Sequence, residues 1–166
     1  MKNPSPLFLS LVAAAALLSA CGGGNSDDPL PVAMSASLGV SNATQAALNG
    51  TYASSNVSLT RVDLTQPVGS ATVCTFKFSG LQQAGTTRLM SGDLRYLPFS
   101  GDLRTTFVTI DGVEWQLTGS SGAFVDRPNN RVTFNNTVLT GANGQNGTIA
   151  LSGALPMLGN RPEGGC

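Results

Sequence analysis

The sequence predicts an all-β fold: a single small antiparallel barrel or sandwich of about eight short strands, placed after a signal peptide and a flexible tether. Three observations carry this expectation. From residue 50 onward Thr, Val, Phe and Leu recur at period two, the period of a strand, and Gly, Asn and Pro punctuate the runs. Asp111-Gly112 sits between two such runs, and Asp-Gly allows positive φ at both positions of a two-residue hairpin turn. The runs are short and closely spaced, as in antiparallel sandwiches and small barrels. Close connections favour a meander-like barrel, although the sequence alone does not separate it from an open sandwich.

The chain begins with the form of an export signal. Lys2 gives a positive start, and residues 7–18 are apolar except for Ser10. That run is too short for a stable membrane span but suits a signal-peptide core. Leu18-Ser19-Ala20-Cys21 resembles the bacterial lipobox, with a small residue at each expected place. The resemblance implies a bacterial lipoprotein whose signal (1–20) is cut before Cys21. The Cys21 thiol and the new amino terminus are then acylated, and the membrane is the partner held through that lipid. Each buried CH₂ adds roughly 0.8 kcal/mol to such an anchor. Gly22, where retained lipoproteins often carry Asp, implies the outer membrane by the same resemblance and leaves the periplasmic or surface face open. The competing reading is an ordinary secretory signal with an incidental Cys.

Apart from Leu30, residues 22–31 are Gly, Asn, Ser, Asp and Pro with almost nothing to bury, the composition of a flexible tether. The lipidated Cys and tether are expected over 21–45 and the β-domain over 46–166. Residues 41–48, ending at Gly50, fit either one short capped helix or more linker.

Without its signal the chain carries eight basic and nine acidic side chains, a single lysine (Lys77) and no histidine. No basic patch points to nucleic acid. The commonest general base and metal ligand is absent. No catalytic residue, metal or cofactor is therefore expected. In an oxidising compartment Cys74 and Cys166 allow one intramolecular disulfide. The alternative is a buried free Cys74 and a frayed Cys166.

Along the β-domain, residues 57–62 alternate weakly and 66–69 read as a turn. Over 72–78, Cys74, Phe76 and Phe78 share one parity and should face the core. The Asp111-Gly112 hairpin pairs Ile110 with Val113 and Val108 with Trp115. Its apolar face holds Val108, Ile110, Val113, Trp115 and Leu117; its wet face holds Phe107, Thr109, Glu114 and Gln116. A second hairpin runs from 123–126 through a turn at 127–130, with Pro128 at the second turn position, into 131–134. A bulge at Asn135-Asn136 precedes 138–140, a loop spans 143–147, and the last strand covers 148–155. An irregular tail follows.

Ser91-Gly92-Asp93-Leu94-Arg95 returns as Ser100-Gly101-Asp102-Leu103-Arg104. One reading gathers Ser91, Asp93, Arg95, Tyr96, Asp102 and Arg104 at one rim to bind a polar or anionic group. The other is turn chemistry at Ser-Gly-Asp, with Asp and Arg sharing a strand face. Asp93 with Asp102, or Asp111 with Glu114, would serve acid–base catalysis only inside a cleft. The hairpin already accounts for the second pair. No Gly-x-Ser-x-Gly elbow occurs. Asn42, Asn49, Asn56, Asn135 and Asn146 match the glycosylation pattern, but the lipobox argues against a eukaryotic route. Ser91-Gly92-Asp93-Leu94-Arg95-Tyr96 is also similar to the Ser-Gly…Arg/Lys-Tyr stretch of membrane-bound lysozyme inhibitors, which are small β-barrel lipoproteins with a disulfide. That resemblance implies that Ser91 and Tyr96 sit in an inhibitory loop.

The function expected from these features is a non-enzymatic outer-membrane lipoprotein with a lipid-tethered β-domain for envelope protein interaction. The alternatives are a periplasmic carrier of a small hydrophobic ligand, which needs an apolar cavity, and a lysozyme-inhibitor-like envelope protein.

Overall fold

A computed structural model of the protein describes residues 35–54, 58–65 (as backbone), 72–157 and 166. The expected signal peptide (1–20), Cys21, residues 22–34, the expected turn at 66–69 and residues 158–165, expected as an irregular tail, lie outside the described residues.

Ten strands form among the described residues: β1 (Ala36–Ser41), β2 (Gly50–Ser54), β3 (Ser58–Thr65), β4 (Val73–Gln83), β5 (Leu89–Tyr96), β6 (Leu103–Ile110), β7 (Val113–Thr118), β8 (Ala123–Asp126), β9 (Arg131–Gly141) and β10 (Thr148–Pro156). Eight of them close an antiparallel barrel in the order β1-β2-β4-β5-β6-β7-β9-β10, with β10 pairing back onto β1. Closure removes sheet edges, which answers the choice between barrel and sandwich.

The two remaining strands are explained by β4 and β9, which change neighbours along their length. β4 pairs with β3 over 73–79 and with β2 at Gln82 and Gln83. β9 pairs with β8 over 131–134 and with β7 at Thr140 and Gly141. Each change of partner coincides with a bulge, which bends a strand and re-aims it. In β4 the bulge falls between Phe78 and Leu81, where Gly80 has φ +83°. In β9 it is at Asn135-Asn136, opposite Ser152, as the sequence predicts.

The 108–115 hairpin has the expected register, with Ile110 opposite Val113 and Val108 opposite Trp115. Two expectations change. Residues 36–41, assigned to the tether, are a barrel strand, because Ala36, Leu38 and Val40 alternate inward between β2 and β10. The helix alternative over 41–48 shrinks to a 3₁₀ turn at Ala46–Leu48.

Large side chains fill the interior. Trp115, Tyr52, Tyr96, Phe76 and Phe78 are buried, with Leu38, Leu81, Met90, Leu94 and Ile149 among them. A small apolar ligand would have to displace this packing.

The barrel has two distinct ends. At the near end β1 and β4 begin, and the connections 97–102, 119–122 and 127–130 lie at that same end. At the far end lie the segment 42–49, the turns at 84–88 and 111–112, and the loop 142–147. Cys74 and Cys166 form a disulfide, both buried, with Cα atoms 5.5 Å apart. The Tyr96 hydroxyl donates to the Cys166 carbonyl at 2.9 Å. The bond fixes Cys166 against the start of β4 at the near end.

Candidate functional site

The residues of the repeated pentamer do not converge. The first copy lies within β5, where Met90, Gly92, Leu94 and Tyr96 point inward and Ser91, Asp93 and Arg95 point out. The second copy is loop at Ser100-Gly101, and it enters β6 at Leu103. Asp93 stands opposite Phe107, whereas Asp102 stands opposite Phe124 beyond the start of β6. Five residues of extended chain separate those positions, roughly 16 Å. The two carboxylates are therefore no catalytic pair, and no single rim holds all six residues. Asp102 and Arg104 belong to the near end.

Turn chemistry fails for the first copy, since Ser91-Gly92-Asp93 is mid-strand. Its glycine serves packing instead: a Cβ at Gly92 would lie 2.6 Å from Phe78 Cζ. Gly101 of the second copy is likewise close to a backbone, with a would-be Cβ 2.8 Å from the Val125 carbonyl oxygen. Both copies bury their leucine and expose their arginine. Tyr96 is buried on the inward face, and Ser91 is mid-strand, so neither occupies the loop that the inhibitor resemblance implies.

What the outer wall does assemble is a cross-strand row. Lys77, Asp93, Phe107, Gln116 and Thr140 are successive register partners across β4, β5, β6, β7 and β9. Lys77 Nζ is 3.9 Å from Asp93 Oδ2, and Arg95 Nε is 3.5 Å from Asp93 Oδ1. Neither separation is a good hydrogen bond, and Oδ1 has no hydrogen-bond partner. The Arg95 guanidinium also lies over the Phe107 ring, 5.6 Å from its centroid. Strand parity makes this cluster: residues 93 and 95 are two apart on one face, and the hairpin register brings Phe107 beside them. Phe107 carried a signal in the sequence, as the lone aromatic on the wet face of the predicted hairpin. Lys77 was legible only as outward parity.

The far end is tied together differently. Arg88 Nε donates to Asp111 Oδ2 at 2.6 Å, and Arg88 Nη1 donates to the Ala47 carbonyl at 2.7 Å and to Gln83 Oε1 at 2.8 Å. Gln83 Nε2 donates to the carbonyl of Asn49 at 2.9 Å. This network fastens the 3₁₀ turn, the β4–β5 turn and the β6–β7 hairpin. Asp111 acts there as a clasp, and Glu114 accepts from Asn143 at 3.4 Å. Beside the clasp, Ser79, Gly80, Met90, Ser91 and Thr109 line an open groove of about 360 Å³.

Burial raises the Tyr52 phenol above its usual pKa, partly opposed by Arg88. Hydrogen bonds, first from the Asn129 side chain, hold Asp126 below the usual carboxylate range. Both groups serve structure: Tyr52 donates to the Leu48 carbonyl, and Asp126 anchors the β8–β9 turn. Among the described residues no group of three His, Cys, Asp or Glu side chains could hold a metal ion. Comparison with protein-family models, curated proteins and solved structures found no match to this chain.

Proposed function

We propose that the protein is a non-enzymatic outer-membrane lipoprotein whose lipid-tethered barrel binds another envelope protein through its outer wall. One observation carries the binding half of this reading: the Lys77, Asp93, Arg95 and Phe107 cluster. Arginine and aromatic side chains dominate the energetics of protein interfaces. Here an arginine stacks on an aromatic ring and holds its carboxylate loosely, so its donors can turn toward a partner at little cost. The packed interior favours the wall over the lumen as the binding surface. The anchoring half rests on the lipobox at residues 18–21.

The test is a photo-cross-linking amino acid at Gln116, which is exposed and next to Phe107 in register. In intact cells it should give one discrete protein adduct, and Arg95→Glu should abolish that adduct while the protein stays folded and membrane-associated. An adduct indifferent to Arg95→Glu, or none at all, would count against the wall as the binding surface.

A further inference from the structure

Phe99 is the most exposed large apolar side chain among the described residues, at 80%. It has φ +61°, a left-handed conformation that a bulky residue adopts at a cost and that glycine or asparagine would adopt more easily. The backbone of its loop is well held. The Ser100 amide donates to the Leu97 carbonyl, the Leu97 amide to the Asp102 carbonyl, and the Val125 amide to the Gly101 carbonyl. A fixed loop thus presents an aromatic ring outward.

Its surroundings extend the surface. Phe124, 46% exposed, stands opposite Asp102 at the base of the same loop. The Arg127 guanidinium lies 6.0 Å from the Phe99 ring centroid. Of the nearby acids, Asp126 is engaged by Asn129 and Arg131, and Asp102 at the foot of the loop is exposed. An apolar tip flanked by arginine is the chemistry that settles at a phospholipid headgroup boundary.

The position of the chain's entry selects the occupant. β1 begins at Ala36 at the near end, the end that bears this loop. Ala36 lies 15 positions after Cys21, a reach of at most about 50 Å when fully extended. A lipid on Cys21 would keep the near end within that reach of the bilayer, and the exposed Phe99 loop is the feature at that end suited to meet it. We infer that the near end is the membrane-facing end of the barrel, with Phe99 inserting among phospholipid headgroups. This inference rests on the acylation of Cys21 and adds an orientation to it.

The test uses full-length acylated protein reconstituted in phosphatidylethanolamine/phosphatidylglycerol vesicles, some containing lipids brominated near the glycerol backbone. Phe99→Trp places a reporter at the loop, Val138→Trp places one on the outer wall, and unsubstituted protein gives the background from buried Trp115. Vesicle flotation is scored first. The expected result is flotation of all three proteins, with about twofold or greater bromine quenching at position 99 and none at 138. Flotation with position 99 unquenched, or with 99 and 138 quenched alike, overturns the orientation and leaves the anchor standing. Failure to float overturns both. Amide exchange in the unsubstituted protein gives an independent readout should Phe99→Trp misfold. Exchange should slow on reconstitution at 97–102 and stay unchanged at 142–147; the absence of that contrast overturns the inference.

Discussion

A methyl group added at Gly92 would lie 2.6 Å from Phe78 Cζ and 2.8 Å from the Phe107 carbonyl oxygen. Neither the ring, packed in the interior, nor the carbonyl, held in the ladder, can yield freely. Gly92→Ala should therefore destabilise the barrel by about 1–3 kcal/mol, measured by urea unfolding. Gly39→Ala is the control: its nearest neighbour would be the Ser152 carbonyl oxygen at an ordinary 3.6 Å, so its effect should stay within about 1 kcal/mol. Asp126 offers a pH test. Its folded pKa is lowered, chiefly by the Asn129 side chain and then by Arg131. The stabilisation is present above the unfolded value of roughly 3.9 and is lost as pH falls through the folded pKa. In an NMR titration Asp126 should titrate below the ordinary carboxylate range, and Asn129→Ala should move it back up. Tyr52 has the opposite sign. Its contribution is intact below about pH 10 and fades as pH rises from there through the raised folded pKa.

The Cys74–Cys166 bond links two positions 92 residues apart and fastens Cys166 to the start of β4. Reduction, or Cys166→Ser, should lower stability by about 2–4 kcal/mol in denaturant unfolding, chiefly by freeing the unfolded chain. The elements show which signals the sequence carries. The β6–β7 hairpin was legible to the residue, because Asp-Gly fixes a two-residue turn and one face must be apolar. The β9 bulge was legible because two adjacent asparagines interrupt an alternation that then resumes. β5 was not: Ser-Gly-Asp looks like a turn, and only the Phe78 ring on the facing strand explains a glycine in mid-strand. β1 was lost among small residues, since Ala36 and Gly39 give a weak alternation and the pairing with β10 is set by contacts more than a hundred residues away. The wall cluster was half legible for the same reason. Parity placed Asp93 beside Arg95, but the β4–β5 register that adds Lys77 belongs to the assembled sheet.

For the whole molecule, the proposed lipid anchor makes a direct prediction: Cys21→Ser should abolish metabolic acyl labelling and move the protein from the membrane fraction to the soluble fraction. Continued labelling of that variant would remove the anchor. At this scale the order of the strands has a kinetic meaning. β1 is the first barrel strand to be made and β10 the last, yet they are neighbours, joined from Ser37↔Ala154 to Ser41↔Ala150. The full ring cannot close without β10, because a chain lacking it leaves β1 and β9 each with one unpaired edge. Such a topology has high contact order, so folding should be slow compared with a helical domain of this size. Until the final strand arrives, both unpaired ladders are open to pairing with other copies of the chain. A truncation ending at residue 147 should therefore aggregate rather than form a smaller barrel, and sedimentation of that fragment would read the outcome.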